Sequence, residues 1–229
     1  MTSKLIIALD FPNKELATHF VKQLSPENCK LKVGFELFIA AGPDFVKQLV
    51  DLGFDVFLDL KFHDIPNTVA SACNSAAAMG VWMMNVHASG GGKMMQAAKQ
   101  ALVDSQSDAK LIAVTVLTSM DQTQLSSTNV HESPENQVKH LAKLTQTSGL
   151  DGIVCSAQEA KMLRKELEEE FLLVTPGIRP DGSEQGDQHR IMTPSAAKIA
   201  GVSYIVVGRP ITQSDQPLKV IEQINLDMQ

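Results

Sequence analysis

The sequence has no surplus of positive charge. Its 229 residues carry 20 Lys and Arg against 26 Asp and Glu, a formal net charge of −6. A nucleic-acid binder needs extra cations to neutralise phosphates, so that class is not expected. No apolar run approaches the roughly 20 residues of a bilayer-spanning helix, so no membrane role is expected either. The opening MTSKLIIALD holds too short an apolar stretch for a secretory signal, and Asp10 interrupts it. Cysteine is scarce. Cys29, Cys73 and Cys155 lie far apart and form no C-x-x-C pair, which suits buried thiols in a reducing cytoplasm and not a disulfide or metal framework. No H-x-x-x-H or H-x-H pair offers a zinc site. A G-x-G-x-x-G turn is also missing after the first apolar run, where ALDFPNKE stands, so a Rossmann dinucleotide site is not expected.

What the chain does have is alternation. Strand-like apolar runs at 4–10, 30–34, 55–61, 82–87, 111–117, 152–156, 171–175 and 203–208 alternate with helix patterns at 14–24, 44–52, 93–103, 135–145, 158–169 and 194–200. Leu16, Phe20 and Leu24 recur at i, i+4 and i+8, the stripe by which a helix packs on a sheet. Gly53, Gly80, Gly149 and Gly201 stand where helices would stop. Eight β–α units without a linker predict one parallel sheet, and eight is a number that closes. The expected fold is α/β, a single-domain (β/α)8 TIM barrel over residues 1–229.

The third run ends unlike a core strand. In FDVFLDLKFHDIPNTV (54–69), Asp59, Lys61 and Asp64 put three charges into six residues straight after the apolar 56–58. Regular alternation would place Asp59 and Lys61 on one face, about 7 Å apart. Charges closing a buried strand suggest a site. A divalent metal between Asp59 and Asp64 is disfavoured, because Lys61 would repel it.

Barrel active sites lie at the carboxyl ends of the strands. Those ends add Asp10, Lys32, His87, Thr118, the segment TPGIRP (175–180) and Gly208-Arg209. Phosphate sites of such barrels are usually built after strands seven and eight. There Gly177 and Gly208 allow close backbone approach, and Arg179 and Arg209 offer fork-shaped donors to an oxyanion. The Gly-rich stretch 177–190 reads as a lid over that phosphate. His87, in NVHASGG, reads as a hydrogen-bonded structural residue.

DLKFHDIPNTV (59–69) resembles the signature of the orotidine 5′-monophosphate decarboxylase family, which makes uridine monophosphate in pyrimidine synthesis. The likeness continues in order and spacing through ALD (8–10), LKVG (31–34), NVHASGG (85–91), LTSM (117–120), TPGIRP (175–180), GDQHR (186–190) and VVGRPIT (206–212). A bare D-x-K-x-x-D is shared with sugar-phosphate barrels, whereas the continuation I-P-N-T and the late Gln and Arg motifs are specific. The resemblance implies a catalytic charge network of Lys32, Asp59, Lys61 and Asp64, with Lys61 as proton donor. It implies that Asp10 and Lys32 bind the ribose hydroxyls, that Thr118 contacts the ligand and that Ser119 reads the pyrimidine. Pro176 would line the pocket, Gln188 would bridge pyrimidine and phosphate, and Arg179, Gly208 and Arg209 would surround the phosphate. It further implies no metal, no organic cofactor, and a homodimer in which Asp64 and Thr68 complete the neighbour's site.

Overall fold

The structure, a computed structural model, describes residues 3–180 and 192–229. Short apolar runs form eight strands: β1 (Leu5–Ala8), β2 (Lys30–Gly34), β3 (Val56–Phe62), β4 (Met83–His87), β5 (Lys110–Val114), β6 (Gly152–Val154), β7 (Leu172–Thr175) and β8 (Tyr204–Val207). Each pairs in parallel with its neighbour in sequence, and β8 returns to β1, so the sheet closes into a (β/α)8 TIM barrel. The helices are α1 (Lys14–Val21), α2 (Phe35–Asp51), α3 (Pro66–Ala77), α4 (Gly92–Asp104), α5 (Gln122–Ser127), α6 (Pro134–Thr147), α7 (Ala157–Leu163), α8 (Pro194–Ile199), α9 (Arg209–Thr212) and α10 (Pro217–Asp227). Among the described residues no helix is long and apolar enough to cross a membrane.

Strand alternation divides the core in two. Leu5, Ile7, Leu31 and Val33 join the layer shared with the helices, while Ile6, Ala8, Phe57, Met83, Ile112, Val174 and Val206 form a separate cluster inside the barrel. The amino end of that interior is closed by Lys30, whose Nζ pairs with Asp55 and stands 4.5 Å from the Trp82 ring centroid. Trp82 and Tyr204 meet edge to face with centroids 5.0 Å apart. All three cysteines are free and buried.

The helix-end glycines behave as expected: Gly53, Gly80, Gly149 and Gly201 all have positive φ, between 80° and 89°. Four helices, α3, α5, α9 and α10, fall outside the expected patterns. In α3 the buried residues are Val69, Cys73 and Ala76, too small to print an apolar stripe on the sequence, although Pro66 at its start and several alanines favour the helix. The longest of the other three, α10, buries Ile221 and Ile224. Conversely, α7 stops at Leu163, short of the expected 169. Arg164 ends it by donating to the carbonyls of Glu168, Glu169 and Phe171, which holds the following turns out of helix.

Candidate active site

Two residues beyond Lys30 on the same inward face, Lys32 begins a line of alternating charge at the carboxyl end of the barrel. Its Nζ stands 3.4 Å from Asp10 Oδ1 and 3.3 Å from Asp59 Oδ2. The second oxygen of Asp59 accepts from Lys61 Nζ at 2.7 Å. The order is therefore Asp10–Lys32–Asp59–Lys61, and the inner two side chains are almost wholly removed from solvent. Lys61 Nζ also lies 5.2 Å from the Phe35 ring centroid, a cation–π contact at the start of α2.

Regular strand geometry does not deliver Lys61 to that position. Leu58 pairs with Met84 and Phe62 with Val86, so four steps along β3 span the interval that two cover on β4. Lys61 takes φ +45°, a left-handed conformation that costs a non-glycine residue on the order of 1 kcal/mol. The expected 7 Å alternation of Asp59 and Lys61 is thus replaced by a bulge that brings the two charged groups into contact.

The charges set each other's protonation. Burial pulls the Lys32 ammonium's pKa down, but the carboxylates of Asp59 and Asp10 outweigh it and leave it above lysine's ordinary value. Burial pushes the Asp59 carboxyl up, and the ammoniums of Lys32 and Lys61, with hydrogen bonds from Lys61 and Asn85, hold it below the usual range. Both charged forms therefore persist through neutral pH.

The line faces a cavity of about 270 Å³. Ala8, Phe57, Val114, Val116, Val154, Val174 and Val206 are among the apolar wall, and Thr118, Pro176, Gly177, Arg179, Gly208 and Arg209 also line the cavity. Gly177 has φ +78°, a conformation open mainly to glycine, and lets the backbone turn at the cavity's edge. Arg179 is buried and donates to its neighbour's carbonyl, that of Ile178. Burial and then the like charge of Arg209 pull the Arg179 pKa down, the electrostatic state that a bound anion would relieve. A parallel bridge joins Ile178 to Met192, and Arg179 N donates to Met192 O at 3.0 Å.

The structure therefore gathers Asp10, Lys32, Asp59, Lys61, Thr118, Pro176, Arg179, Gly208 and Arg209 around one cavity. Three predicted residues stand apart from it. Ser119 is exposed and outside the lining. Asp64 and Thr68 are exposed, and Asp64 Oδ1 accepts from the Ile65 amide at 2.6 Å. Gln188 and the expected lid beyond residue 180 lie outside the described residues.

His87 needs a correction. Its Nδ1 is buried with no hydrogen-bond partner among the described residues, and its ring lies 5.6 Å from that of His63. Burial, followed by the charges of His63 and Lys61, keeps its pKa below histidine's ordinary value.

Asn85 is the residue that sequence reasoning missed. It is fully buried, donates through Nδ2 to Asp59 Oδ1 at 2.7 Å, and accepts from the Lys61 amide at 2.7 Å. The one hint in the sequence is a lone amide in the otherwise apolar start of MMNVH.

Comparison with known proteins gives one family. The model of the Orotidine 5′-phosphate decarboxylase / HUMPS family matches residues 3–224. The orotidine 5′-phosphate decarboxylase of Pseudoalteromonas translucida is 61% identical over 225 residues, 98% of this chain and 96% of that protein. The protein of the same name from Escherichia coli is 56% identical, covering 99% of this chain and 93% of its own. The crystal structure of orotidine 5′-phosphate decarboxylase from Lactobacillus acidophilus superposes with a TM-score of 0.89 at 40% identity, over 99% of both chains.

Proposed function

Because the chain belongs to the Orotidine 5′-phosphate decarboxylase / HUMPS family, we propose that it converts orotidine 5′-monophosphate to uridine 5′-monophosphate and CO2 in pyrimidine biosynthesis, as one cytoplasmic barrel domain over residues 1–229 and with no cofactor. The observation that carries this reading is the alternating line Asp10–Lys32–Asp59–Lys61 facing a cavity that also holds Arg179 and Arg209.

The chemistry asks for what this line supplies. When the carboxylate leaves as CO2, its bonding electron pair stays on a ring carbon with no ready electron sink. The Lys61 ammonium stabilises that charge, then delivers its proton to the same carbon and recovers one from solvent. Two unit charges ~4 Å apart at an effective dielectric near 20 interact by about 4 kcal/mol. That is roughly a thousandfold in rate, so Lys61 is one contribution among several. Asp59 accepts from the Lys61 ammonium and repels the substrate carboxylate in the ground state. Asp10 and Lys32 hold the ribose hydroxyls, Thr118 contacts the ligand, Ser119 reads the pyrimidine from just outside the cavity lining, and Arg179, Gly208 and Arg209 surround the phosphate. Binding energy from that remote phosphate offsets the strain at the reacting end.

The protein acts as a homodimer in which Asp64 and Thr68 complete the neighbour's site and extend the charge network to Lys32–Asp59–Lys61–Asp64. Two features support this. Both residues are exposed and stand outside the cavity of their own chain. Exposed Phe35, Ile39, Ile65 and Leu117 lie at or just past the carboxyl ends of β2, β3 and β5, a concentration of apolar surface at the same end as the site.

The test is to incubate the purified protein with orotidine 5′-monophosphate and a chelator, following the loss of substrate absorbance and the release of CO2. Turnover with chelator present is expected. Tight binding of uridine monophosphate without turnover, or turnover only on adding magnesium, would overturn the reading. For the shared site, Lys61→Ala and Asp64→Ala proteins, each inactive alone, should regain about a quarter of native activity when mixed, since half the dimers then carry one intact site. No recovery despite subunit exchange contradicts the sharing.

A further inference from the structure

The bulge in β3 poses a hydrogen-bonding question, because the Lys61 amide sits where β3 and β4 fall out of register. The amide is satisfied by a side chain, Asn85 Oδ1, at 2.7 Å. An N–H can only donate to the amide oxygen, which leaves Asn85 Nδ2 for the carboxylate, and it reaches Asp59 Oδ1 at 2.7 Å. That oxygen is the one that accepts from Lys61 Nζ. The contacts form a closed ring that runs from Asn85 to Asp59, to the Lys61 ammonium, along the Lys61 side chain to its own backbone, and back to Asn85. Asn85 has no exposed surface, so water cannot substitute for either of its bonds. Lys61 holds φ +45° within this ring, a conformation that persists only where its surroundings over-determine it.

The side-chain type matters at this position. A carboxylate would accept from the Lys61 amide but repel Asp59, and an apolar group would leave the Lys61 amide unsatisfied and take one of its donors from Asp59. Asn85 lies behind the cavity wall and does not line it, so it acts through Asp59 and Lys61. We propose that Asn85 is the positioning residue that holds the bulged backbone of Lys61 and the Asp59 carboxylate together, and so fixes the ammonium at the reacting carbon. The catalytic half of this proposal rests on the decarboxylase reading above; the structural half does not.

The experiment compares wild type with Asn85→Ala and Asn85→Asp by amide hydrogen exchange at Lys61, affinity for uridine monophosphate, and kcat and KM as a function of pH. In Asn85→Ala the Lys61 amide should exchange faster while β5 amides stay protected. Its kcat should fall about a hundredfold, as an ångström-scale misplacement does, with nucleotide affinity within about threefold of wild type. In Asn85→Asp activity should return as pH falls, because a protonated carboxyl offers the same donor and acceptor as the amide, and wild type should show no such gain. Unchanged Lys61 exchange in Asn85→Ala overturns the proposal, as does a kcat within about threefold of wild type. Should Asn85→Ala not fold, Asn85→Asp carries the same readouts. Absence of turnover in wild type sinks the decarboxylase reading, while Lys61 exchange still decides the positioning.

Discussion

Lys30 and Lys32 sit two residues apart on one strand and face the same barrel interior, yet they meet different surroundings. Lys30 looks down onto Trp82 and Tyr204 and pairs with Asp55, whose carboxylate is half exposed. Lys32 looks up between Asp10 and Asp59, and Asp59 is shared with Lys61. At the lower end a single cation is neutralised and covered by aromatic faces, which closes the barrel. At the upper end alternating charges stand in line and open onto a cavity. Side-chain alternation alone puts both lysines inside, and their height in the barrel decides whether the charge seals a core or serves a reaction.

Removing the central carboxylate at the upper end should have the largest effect. Asp59→Ala removes the carboxylate between the Lys32 and Lys61 ammoniums and leaves Lys32 with Asp10 as its counter-charge. It should lower unfolding free energy by about 3 kcal/mol and decarboxylation by more than about a thousandfold, read by urea titration and initial rates. Asp55→Ala, its lower-end counterpart, removes a half-exposed partner and should cost about 1 kcal/mol or less. Equal costs at the two ends would erase the contrast.

Next comes the far side of the cavity. Arg209→Ala should lower kcat/KM for orotidine 5′-monophosphate by about a hundredfold, the worth of charge-assisted bonds to a phosphate. A substrate analogue without the phosphate should show little difference between wild type and variant. A comparable loss on that analogue would place Arg209 in the chemistry and not in phosphate binding.

The smallest effect is in pH. Folding holds His87 below histidine's ordinary pKa, so the unfolded chain takes up the proton first as pH falls. Its contribution to stability is complete above about pH 6.5 and declines below that value. Asp59 is also depressed, but from the carboxylate range, so its contribution is complete above about pH 4 and is lost only below it. Lys32, raised, loses its contribution only above about pH 10.5. Unfolding free energies measured from pH 5 to pH 8 should therefore slope in wild type and flatten in His87→Gln. A slope that survives the substitution would assign it to another group.

The eight strands and the cavity's charged residues were legible because both follow from local pattern: apolar runs of strand length, and charges where those runs end. The helix of residues 66–77 was not, since Val69, Cys73 and Ala76 bury too little surface to mark a face. Lys32 was legible from its place at the carboxyl end of KLKVG, but the role of Lys30 was not, because only barrel closure brings Trp82 and Tyr204 to it. The bulge at Lys61 was least legible. A left-handed lysine is unfavourable by propensity, and it exists here because Asn85, 24 residues away, accepts its amide hydrogen. Asp64 could be read as charged and near the site, but within one chain it bonds only its neighbour's amide among the contacts described.

One paired measurement tests the division of labour most directly: kcat and unfolding free energy for Lys61→Met and Lys30→Met side by side. Lys61→Met should lose about a thousandfold or more in turnover while its stability stays within about 1 kcal/mol of wild type. Lys30→Met should keep turnover within about twofold and lose about 1 kcal/mol of stability, the cation–π share of the lower plug. A folded Lys61→Met protein that decarboxylates near the wild-type rate would contradict the account.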